Sequence, residues 1–510
     1  MPTFAAVDIG ANSVRLKIAR VRGHRIEVIH EDRQVTRLGE QVFSTGLLSP
    51  DAMAETVKVL RRFHRAAQKF AVDTVRVVAT SALRNARNRK SFVEWVYSST
   101  GWQVEVISGT EEARLIHFGL VSNLRITSWP VLMVDLGGGS CELTISAQKH
   151  IRETFSVPLG AVRLTREFLA HDPPRKKELG RLRAFVDREL GRAAKRITNA
   201  RVKAVIATSG TAAALAAVAA NRYPTGGHQG GSFVSAATAA RLVRMLSRRS
   251  LEQRASFQGI GPRRAEIIVA GAVVFAELLD RCRLRNFRYS TLGLRDGLLA
   301  QMAADYSRSA KSREQIAAER WESVLHCARQ YGVELQHAMQ VRNFALELFR
   351  KLQPIHGLPP EYQEWLSAAA MLYEVGTYIN RNGRYRHAWY VISHSDILGY
   401  SPQQRRIIAA IARYLGTSVP LPSDAPMKAI PSGERRNATR ACMLLRLSRA
   451  LNLGRRDAVR NVRVQLRNSK VVLSVAPKRG TDVELEVWAL ERERNYFRDV
   501  FGRELSPAIA

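Results

Sequence analysis

Val131–Glu142 reads V-L-M-V-D-L-G-G-G-S-C-E: four apolar residues, Asp135, Leu136, three glycines, Ser140, Cys141 and Glu142. The apolar run predicts a buried strand. Gly137, Gly138 and Gly139 allow a tight turn whose N–H groups meet an anion with no side chain in the way. Asp135 stands where the strand ends, and Glu142 lies seven residues on. Two carboxylates bracketing such a cradle suit a Mg²⁺ ion held between protein and phosphate. Taken alone, the segment is equally well explained as a Gly-rich turn with Asp135 capping backbone donors.

The balance shifts because the pattern recurs. Residues 4–13 read F-A-A-V-D-I-G-A-N-S: again an apolar run, Asp, an aliphatic residue, Gly, two small residues and Ser. Alternating residues follow each copy, at Val14–Val21 and Cys141–Ser146, and predict a second strand hairpinned to the first. A repeated supersecondary unit is stronger evidence than one motif. Two such hairpins facing each other would pinch a phosphate chain from both sides.

The remaining α/β rhythm is consistent with this. Ser49–Lys69 is predicted helical, with Pro50 in the first turn and Val57, Leu60, Phe63 and Ala67 at helical spacing. Val75–Thr80 is a strand running into Ser81, with Arg84 and Arg87 one turn apart at a candidate anion site. Val104–Ile107 is a strand, followed by S-G-T-E-E at 108–112. Ser108 and Glu111 have capping-box spacing, which engages Glu111 and leaves Glu112 free as a general base for a water. Val157–Thr165 reads as a short loop holding Gly160 and Arg163, and Leu179–Ile197 as a long basic helix. Val202–Thr208 is a strand, and Ser209, Gly210 and Thr211 open an Ala-rich helix at a third candidate anion site. Tyr223–Ser232 carries four glycines and reads as a loop, and Thr291–Gly297 closes the segment.

From about Asp305 the character changes. Residues 305–420 read as nearly all helical and contain His326, His337, His356, His387 and His394. Leu421–Pro431 holds three prolines and reads as a linker. Residues 438–456 read as one basic helix, and Val462–Leu466, Val471–Val475 and Val483–Leu490 as a small antiparallel end-piece.

Length and composition set the frame. A chain of 510 residues is too long for one core, and the expected domains are 1–125, 126–305, 306–430 and 431–510. The longest apolar run, Ile267–Leu279, is broken by Gly271 and Glu277 and is too short to span a bilayer. The N-terminus enters a strand without a signal-peptide layout, and Cys141, Cys282, Cys327 and Cys442 lack metal-ligand spacing, so free thiols in a reducing cytoplasm are expected. There are 79 Lys and Arg against 45 Asp and Glu, formally +34. That excess calls for a polyanionic substrate or partner, an acidic membrane surface, or simply a basic proteome. Ten basic residues against two acids in 428–463 predict a tether for a long polyanion. No helix-turn-helix, aromatic stacking platform or zinc pattern marks a nucleic-acid-binding regulator.

Taken in order, D-I-G-A-N-S-V-R (8–15), V-A-T-S-A-L-R-N-A-R-N (78–88), S-G-T-E-E-A-R-L (108–115), V-D-L-G-G-G-S-C-E-L (134–143), P-L-G-A-V-R-L-T (158–165), T-S-G-T (208–211) and G-L-R-D-G (293–297) carry a resemblance. The chain resembles the exopolyphosphatase / guanosine pentaphosphate phosphohydrolase (Ppx/GppA) family along its whole length. The resemblance implies an α/β fold: a duplicated actin-like ATPase core, of the acetate kinase and actin type, then an all-α HD-like domain and a small α+β C-terminal domain. It implies Glu112 as catalytic base and Asp8, Asp135 and Glu142 as holders of Mg²⁺, with Mn²⁺ as the alternative ion and potassium as a candidate monovalent cation. Asn12, Ser13 and Arg15 with Gly137, Gly138, Gly139 and Ser140 match its two phosphate-binding loops. Arg84 and Arg163 match its basic lining. It also implies a homodimer.

The activity implied is release of terminal orthophosphate from inorganic polyphosphate. Guanosine pentaphosphate hydrolysis is the alternative within the family, and the basic excess favours polyphosphate. The sequence departs from the pattern at Ala11, which removes a hydroxyl from the first loop, and at Cys141, which replaces a Thr. In the HD-like region Tyr373 and Glu374 occupy the position of the paired His-Asp, so His337 and His394 are expected to support no catalysis.

Overall fold

The structure is a computed structural model that describes residues 1–22, 25–127, 129–223, 233–306, 310–395, 397–467 and 469–510. The chain forms two compact units, 1–313 and 314–510. The loop expected at Tyr223–Ser232 lies, from residue 224 on, outside the described residues.

The first unit holds two sheets. One is built from β1 (Thr3–Ile9), β2 (Ser13–Arg22), β3 (Arg25–Val35), β4 (Thr74–Ala79) and β5 (Val104–Val106), in the order β3-β2-β1-β4-β5. The other is built from β6 (Val131–Leu136), β7 (Cys141–Ala147), β8 (His150–Val157), β9 (Ala204–Thr208), β10 (Phe233–Ser235) and β11 (Asn286–Tyr289), in the order β8-β7-β6-β9-β11-β10. The first three strands of each sheet form an antiparallel meander, and the next two add in parallel. The repeat seen in the sequence is therefore a repeat of topology, a duplicated α/β core. The central strands β1 and β6 are buried on both faces, as their unbroken apolar runs require.

Helices cover these sheets. Pro50–Lys69 starts where Ser49 Oγ accepts the Ala52 N–H, and it buries Val57, Leu60, Phe63 and Ala67. Ile268–Arg281 is apolar on nearly all sides because it is packed on all sides, which accounts for its membrane-like composition. Among the described residues no helix is long and apolar enough to cross a membrane. Leu294–Tyr306 returns to pack on β1 and on Gly109–Asn123. The close approach runs through Gly297, where a Cβ would lie 1.8 Å from the Leu115 carbonyl oxygen.

One local expectation in this unit is corrected. The expected loop Val157–Thr165 is the end of β8 followed by the helix Ala161–Phe168, so Arg163 is helical.

In the second unit one apolar cluster runs from Val324 to Leu505, so helices and terminal strands share a core. The expected linker Leu421–Pro431 contains a helical turn, Ala425–Lys428, and the basic helix is Ser432–Ala450. The small sheet consists of β12 (Val459–Leu466), β13 (Lys470–Pro477) and β14 (Glu504–Ile509), and β14 joins in parallel. Val483–Leu490, expected as its third strand, lies within and just before the helix Glu484–Glu491. Its alternating apolar pattern misleads because the buried positions are Val483, Glu486, Ala489 and Leu490, a helical spacing, while Leu485 and Trp488 face solvent.

The basic stretch 428–463 is also less of a free patch than its composition suggests. Arg446 is buried and forks Glu493, Arg440 donates to the His356 carbonyl, Arg449 donates to the Leu415 carbonyl, and Arg455 pairs with Glu334 and Glu374. Lys428, Arg436, Arg456, Arg460 and Arg463 remain exposed.

Candidate active site

The two hairpins set the site. In β1–β2, Asp8 is directly opposite Arg15; in β6–β7, Asp135 is directly opposite Glu142. Opposite residues of an antiparallel pair share a face, so the same scaffold presents an acid with an arginine in one copy and two acids in the other. The loops match as well: the Gly10 N–H donates to the Ser13 carbonyl and the Gly137 N–H to the Ser140 carbonyl. Both loops line a cavity of about 270 Å³.

Glu112 enters from the first turn of Gly109–Asn123. Ser108 Oγ accepts the Glu111 N–H, and the Glu111 carboxylate pairs with Arg114 at 2.9 Å. Gly109 lets the helix start press on β8, since a Cβ there would lie 2.2 Å from Ser156 Oγ. Glu112, Asp135 and Glu142 thereby come together, with one oxygen of each within 4.8 Å of the others. Glu112 and Asp135 line the cavity, Glu142 is buried behind them and does not, and Asp8 lines it outside that group of three.

Burial and crowding push these carboxyls up. Glu112 is raised to about 7 mainly by burial, with Asp135 adding to the rise and Arg84 opposing it. Glu142 is raised by burial and then by Glu112 and Asp135. Burial also raises Asp135, whose carboxylate accepts from Thr208, and Asp8. Ser156 donates to Glu142 Oε1 at 3.0 Å, while Glu142 Oε2 is buried with no hydrogen-bond partner among the described residues. Clustered carboxylates with an orphaned oxygen fit a hard divalent cation, which takes oxygen ligands and relieves their repulsion.

A second group of charges lines the same cavity. Arg15, Arg33, Arg264 and Arg295 line it together with Tyr289. Arg33 is lowered to about 10 by burial and by Arg15, Arg263 and Arg295, and Arg264 to about 9 by burial and by Arg33 and Arg15. Among the described residues Arg15, Arg33 and Arg264 form no ion pair with an acid. Gly210 admits Arg264, since a Cβ there would lie 2.0 Å from its guanidinium. Ser209, at the strand-to-helix junction, has φ +81 and a buried hydroxyl with no partner. A left-handed serine costs about 1–3 kcal/mol and persists at ligand-binding turns.

Not every expected residue lies on the cavity. Asp8, Asn12, Ser13, Arg15, Glu112, Asp135, Gly137, Gly138, Ser140, Ser209, Gly210 and Thr211 line it. Gly139 instead packs beneath it, where a Cβ would lie 2.3 Å from Phe43 and 2.5 Å from Ser81 Oγ. Arg163 stacks on the Phe43 ring at 4.5 Å rather than lining the cavity. The N–H groups of Ala161, Val162 and Arg163 cap carbonyls of Gly137 and Gly138, so this helix holds the loop. Arg84 is bound to Glu112, and Arg87 donates to the Thr45 carbonyl. Ala11 fits between Gly39 and Gly138 as a packing contact of the two loops. Cys141 is fully buried in the apolar core with its thiol pushed up by burial, an inert filler.

Arg33 and Arg264 were missed from sequence because neither lies in a local motif. Arg295, inside G-L-R-D-G, carried a signal without an assignable role.

Gly160 makes the most demanding contact at the loop: a Cβ would lie 2.2 Å from Gly139 N and C. Gly160→Ala is expected to lose about 1–3 kcal/mol, measured by denaturant unfolding, and to lower activity by displacing the loop.

The comparisons with known proteins identify the family. The profile of the Ppx/GppA phosphatase family matches residues 17–305, and that of Ppx/GppA phosphatase domain III matches residues 320–494. The crystal structure of the Aquifex aeolicus member of the family is 31% identical, with 60% of this chain and 99% of that chain covered and a TM-score of 0.51. An exopolyphosphatase from Cytophaga hutchinsonii is 25% identical over 60% of this chain and 99% of its own, with a TM-score of 0.55. With more than half its length matched by the family's profile, the chain belongs to the Ppx/GppA phosphatase family and is a hydrolase of phosphoric anhydrides.

Proposed function

We propose that the protein is a metal-dependent exopolyphosphatase that removes terminal orthophosphate from inorganic polyphosphate. The observation that carries this reading is the set of cavity arginines without acidic partners together with a carboxylate cluster. Three mutually repelling guanidiniums, Arg264 buried, Arg15 half-buried and Arg33 exposed, are unfavourable together unless a polyanion lies among them. A chain of phosphates supplies one charge after another, where a single phosphate would satisfy only one or two arginines.

In this reading the terminal phosphoryl group lies between the two hairpin loops and the preceding phosphates lie among Arg15, Arg33, Arg264 and Arg295. Asp135 and Glu142 would hold the divalent cation, and Asp8 is a further candidate ligand on the cavity. When bound, the cation neutralises charge on the transferring phosphoryl group. Glu112 orients a water and takes its proton, a role suited to a carboxyl raised to about 7. The Gly138 and Ser140 backbone and the Asn12 and Ser13 loop orient the phosphoryl oxygens from opposite sides. The exposed residues Lys428, Arg436, Arg456, Arg460 and Arg463 would keep a long chain associated between cuts, making cleavage processive. The rival substrate is guanosine pentaphosphate. Phosphate release by the purified protein from long polyphosphate and from guanosine pentaphosphate, compared at equal terminal-phosphate concentration, decides between them. A higher kcat/KM on the nucleotide would overturn the polyphosphate reading.

Asp135→Asn and Glu142→Gln are each expected to raise the Mg²⁺ concentration needed for half-maximal activity. Outer-shell changes alone cost about 10-fold to 100-fold in metal affinity, so these should cost at least about tenfold. An unchanged Mg²⁺ titration in both variants would place the ion elsewhere.

We read the second unit as non-hydrolytic. His337 Nε2 lies 2.6 Å from Tyr373 OH and its Nδ1 lies 3.0 Å from Asn452 Nδ2, so both ring nitrogens are engaged. The His394 ring is bonded to the Tyr390 carbonyl. His337→Ala should leave phosphate release within about twofold of wild type, since its nearest roles are packing and hydrogen bonding. A metal-dependent activity that survives Glu112→Gln but is lost with His337→Ala would contradict this.

A further inference from the structure

Arg84 reaches into the carboxylate cluster from the short helix Ser81–Asn85. Its Nη1 donates to Glu112 Oε2 at 2.8 Å and to the Ile107 carbonyl at 2.9 Å. Its Nη2 donates to Ser140 Oγ at 3.2 Å and lies 3.7 Å from Glu142 Oε1. Two of the three carboxylates of the candidate cation site are therefore in contact with one guanidinium. A guanidinium keeps its proton at any relevant pH, so it can yield those oxygens only by moving. Its side chain is about one-fifth exposed (19%) and touches Ser140, which lines the cavity, so movement toward the cavity is a short displacement.

We infer that Arg84 is a resident counter-ion that competes with the divalent cation for Glu142 while it pairs with the base Glu112, and that cation binding releases it toward the phosphate in the cavity. The inference rests on reading this cluster as the cation site. Arg84 is then a positioning residue for the metal and a phosphate contact only once displaced. While it occupies the carboxylates, the competent fraction of the site is reduced and the apparent metal affinity falls in proportion. Linkage adds a second consequence: if cation and phosphate both draw Arg84 out of its pairing, each tightens the other's binding by the same factor.

The test is Mn²⁺ binding, followed by the electron paramagnetic resonance of free Mn²⁺, in the wild type, Arg84→Met, Arg84→Lys and Glu142→Gln, with and without inorganic phosphate. Arg84→Met is expected to bind Mn²⁺ roughly tenfold more tightly without phosphate. Arg84→Lys, which keeps the charge and loses the fork, should fall between wild type and Arg84→Met. Phosphate should tighten Mn²⁺ binding in the wild type by a larger factor than in Arg84→Met. If Glu142→Gln weakens binding but Arg84→Met does not tighten it, competition is overturned while the cation site stands. If Arg84→Lys matches wild type while Arg84→Met is tighter, the effect is distant repulsion and the competition is likewise overturned. If Arg84→Met does not fold, Arg84→Lys decides: affinity equal to or below wild type overturns the inference. Unchanged binding in Glu142→Gln would overturn the cation-site reading and this inference with it.

Discussion

Glu112→Gln is expected to lower phosphate release by about 10²–10⁴-fold while polyphosphate binding persists. The substitution keeps the shape and an oxygen that can still accept from Arg84, which now donates to Glu112 at 2.8 Å. What it removes is the carboxylate assigned to take a proton from the attacking water in the proposed geometry. The neighbouring Glu111 provides the control. Its carboxylate is engaged by Arg114, itself buried and bonded to Gln301. Glu111→Gln should therefore act on stability rather than turnover. The wild-type pH profile checks the same assignment. A carboxyl raised to about 7 by burial is protonated, and unable to accept a proton, as pH falls through that value, so kcat/KM should drop on the acid side of neutrality. Bound cation favours the carboxylate and should move the midpoint to lower pH. Equal activity losses in Glu111→Gln and Glu112→Gln would refute the base assignment.

Joint replacement of Arg33 and Arg264 by Gln should raise KM for polyphosphate by roughly tenfold or more, since a hydrogen bond to a charged group is worth about 1.5–3 kcal/mol. Neither residue touches the carboxylate cluster, so kcat at saturation should change far less than KM. The salt dependence carries more specific information. Counterion release makes the slope of log affinity against log salt follow the number of phosphates neutralised, and each lost contact should shrink it by about 0.7 for a single-stranded polyanion. The variant should also be more stable than wild type in the absence of substrate. Both guanidiniums have their pKa pushed down, Arg33 to about 10 and Arg264 to about 9, so their charged form is disfavoured in the fold. The sign follows: a base with a lowered folded-state pKa is destabilising at every pH below that value. A variant with unchanged KM and unchanged salt slope would show that the substrate does not lie among these arginines.

The Asp-x-Gly-x-x-Ser repeat at 8–13 and 135–140 sufficed to predict two hairpins on one duplicated α/β core, because a strand run straight into a glycine turn is a local pattern. Ser108 caps the helix start as its spacing predicts, but the Glu111 carboxylate pairs with Arg114 and Glu112 is held by Arg84 rather than left free. The pairing of Asp8 with Arg15 and of Asp135 with Glu142 also follows from equal hairpin spacing, although only the register makes it visible.

Other features depended on contacts between distant segments. Gly139 and Arg163 look like phosphate ligands in sequence, yet the fold uses both around Phe43. Arg446 reads as surface charge until Glu493, forty-seven residues on, is brought to it. Arg33 and Arg264 belong to the cavity because β3 and the turn before Ile268 converge there, from segments more than two hundred residues apart. Local patterns in this chain determined the strands, turns and helix caps, whose forces act over a few residues. Which charges pair, which oxygen is left without a partner and which arginines face one another depend on long-range packing, and only the tertiary structure decided them.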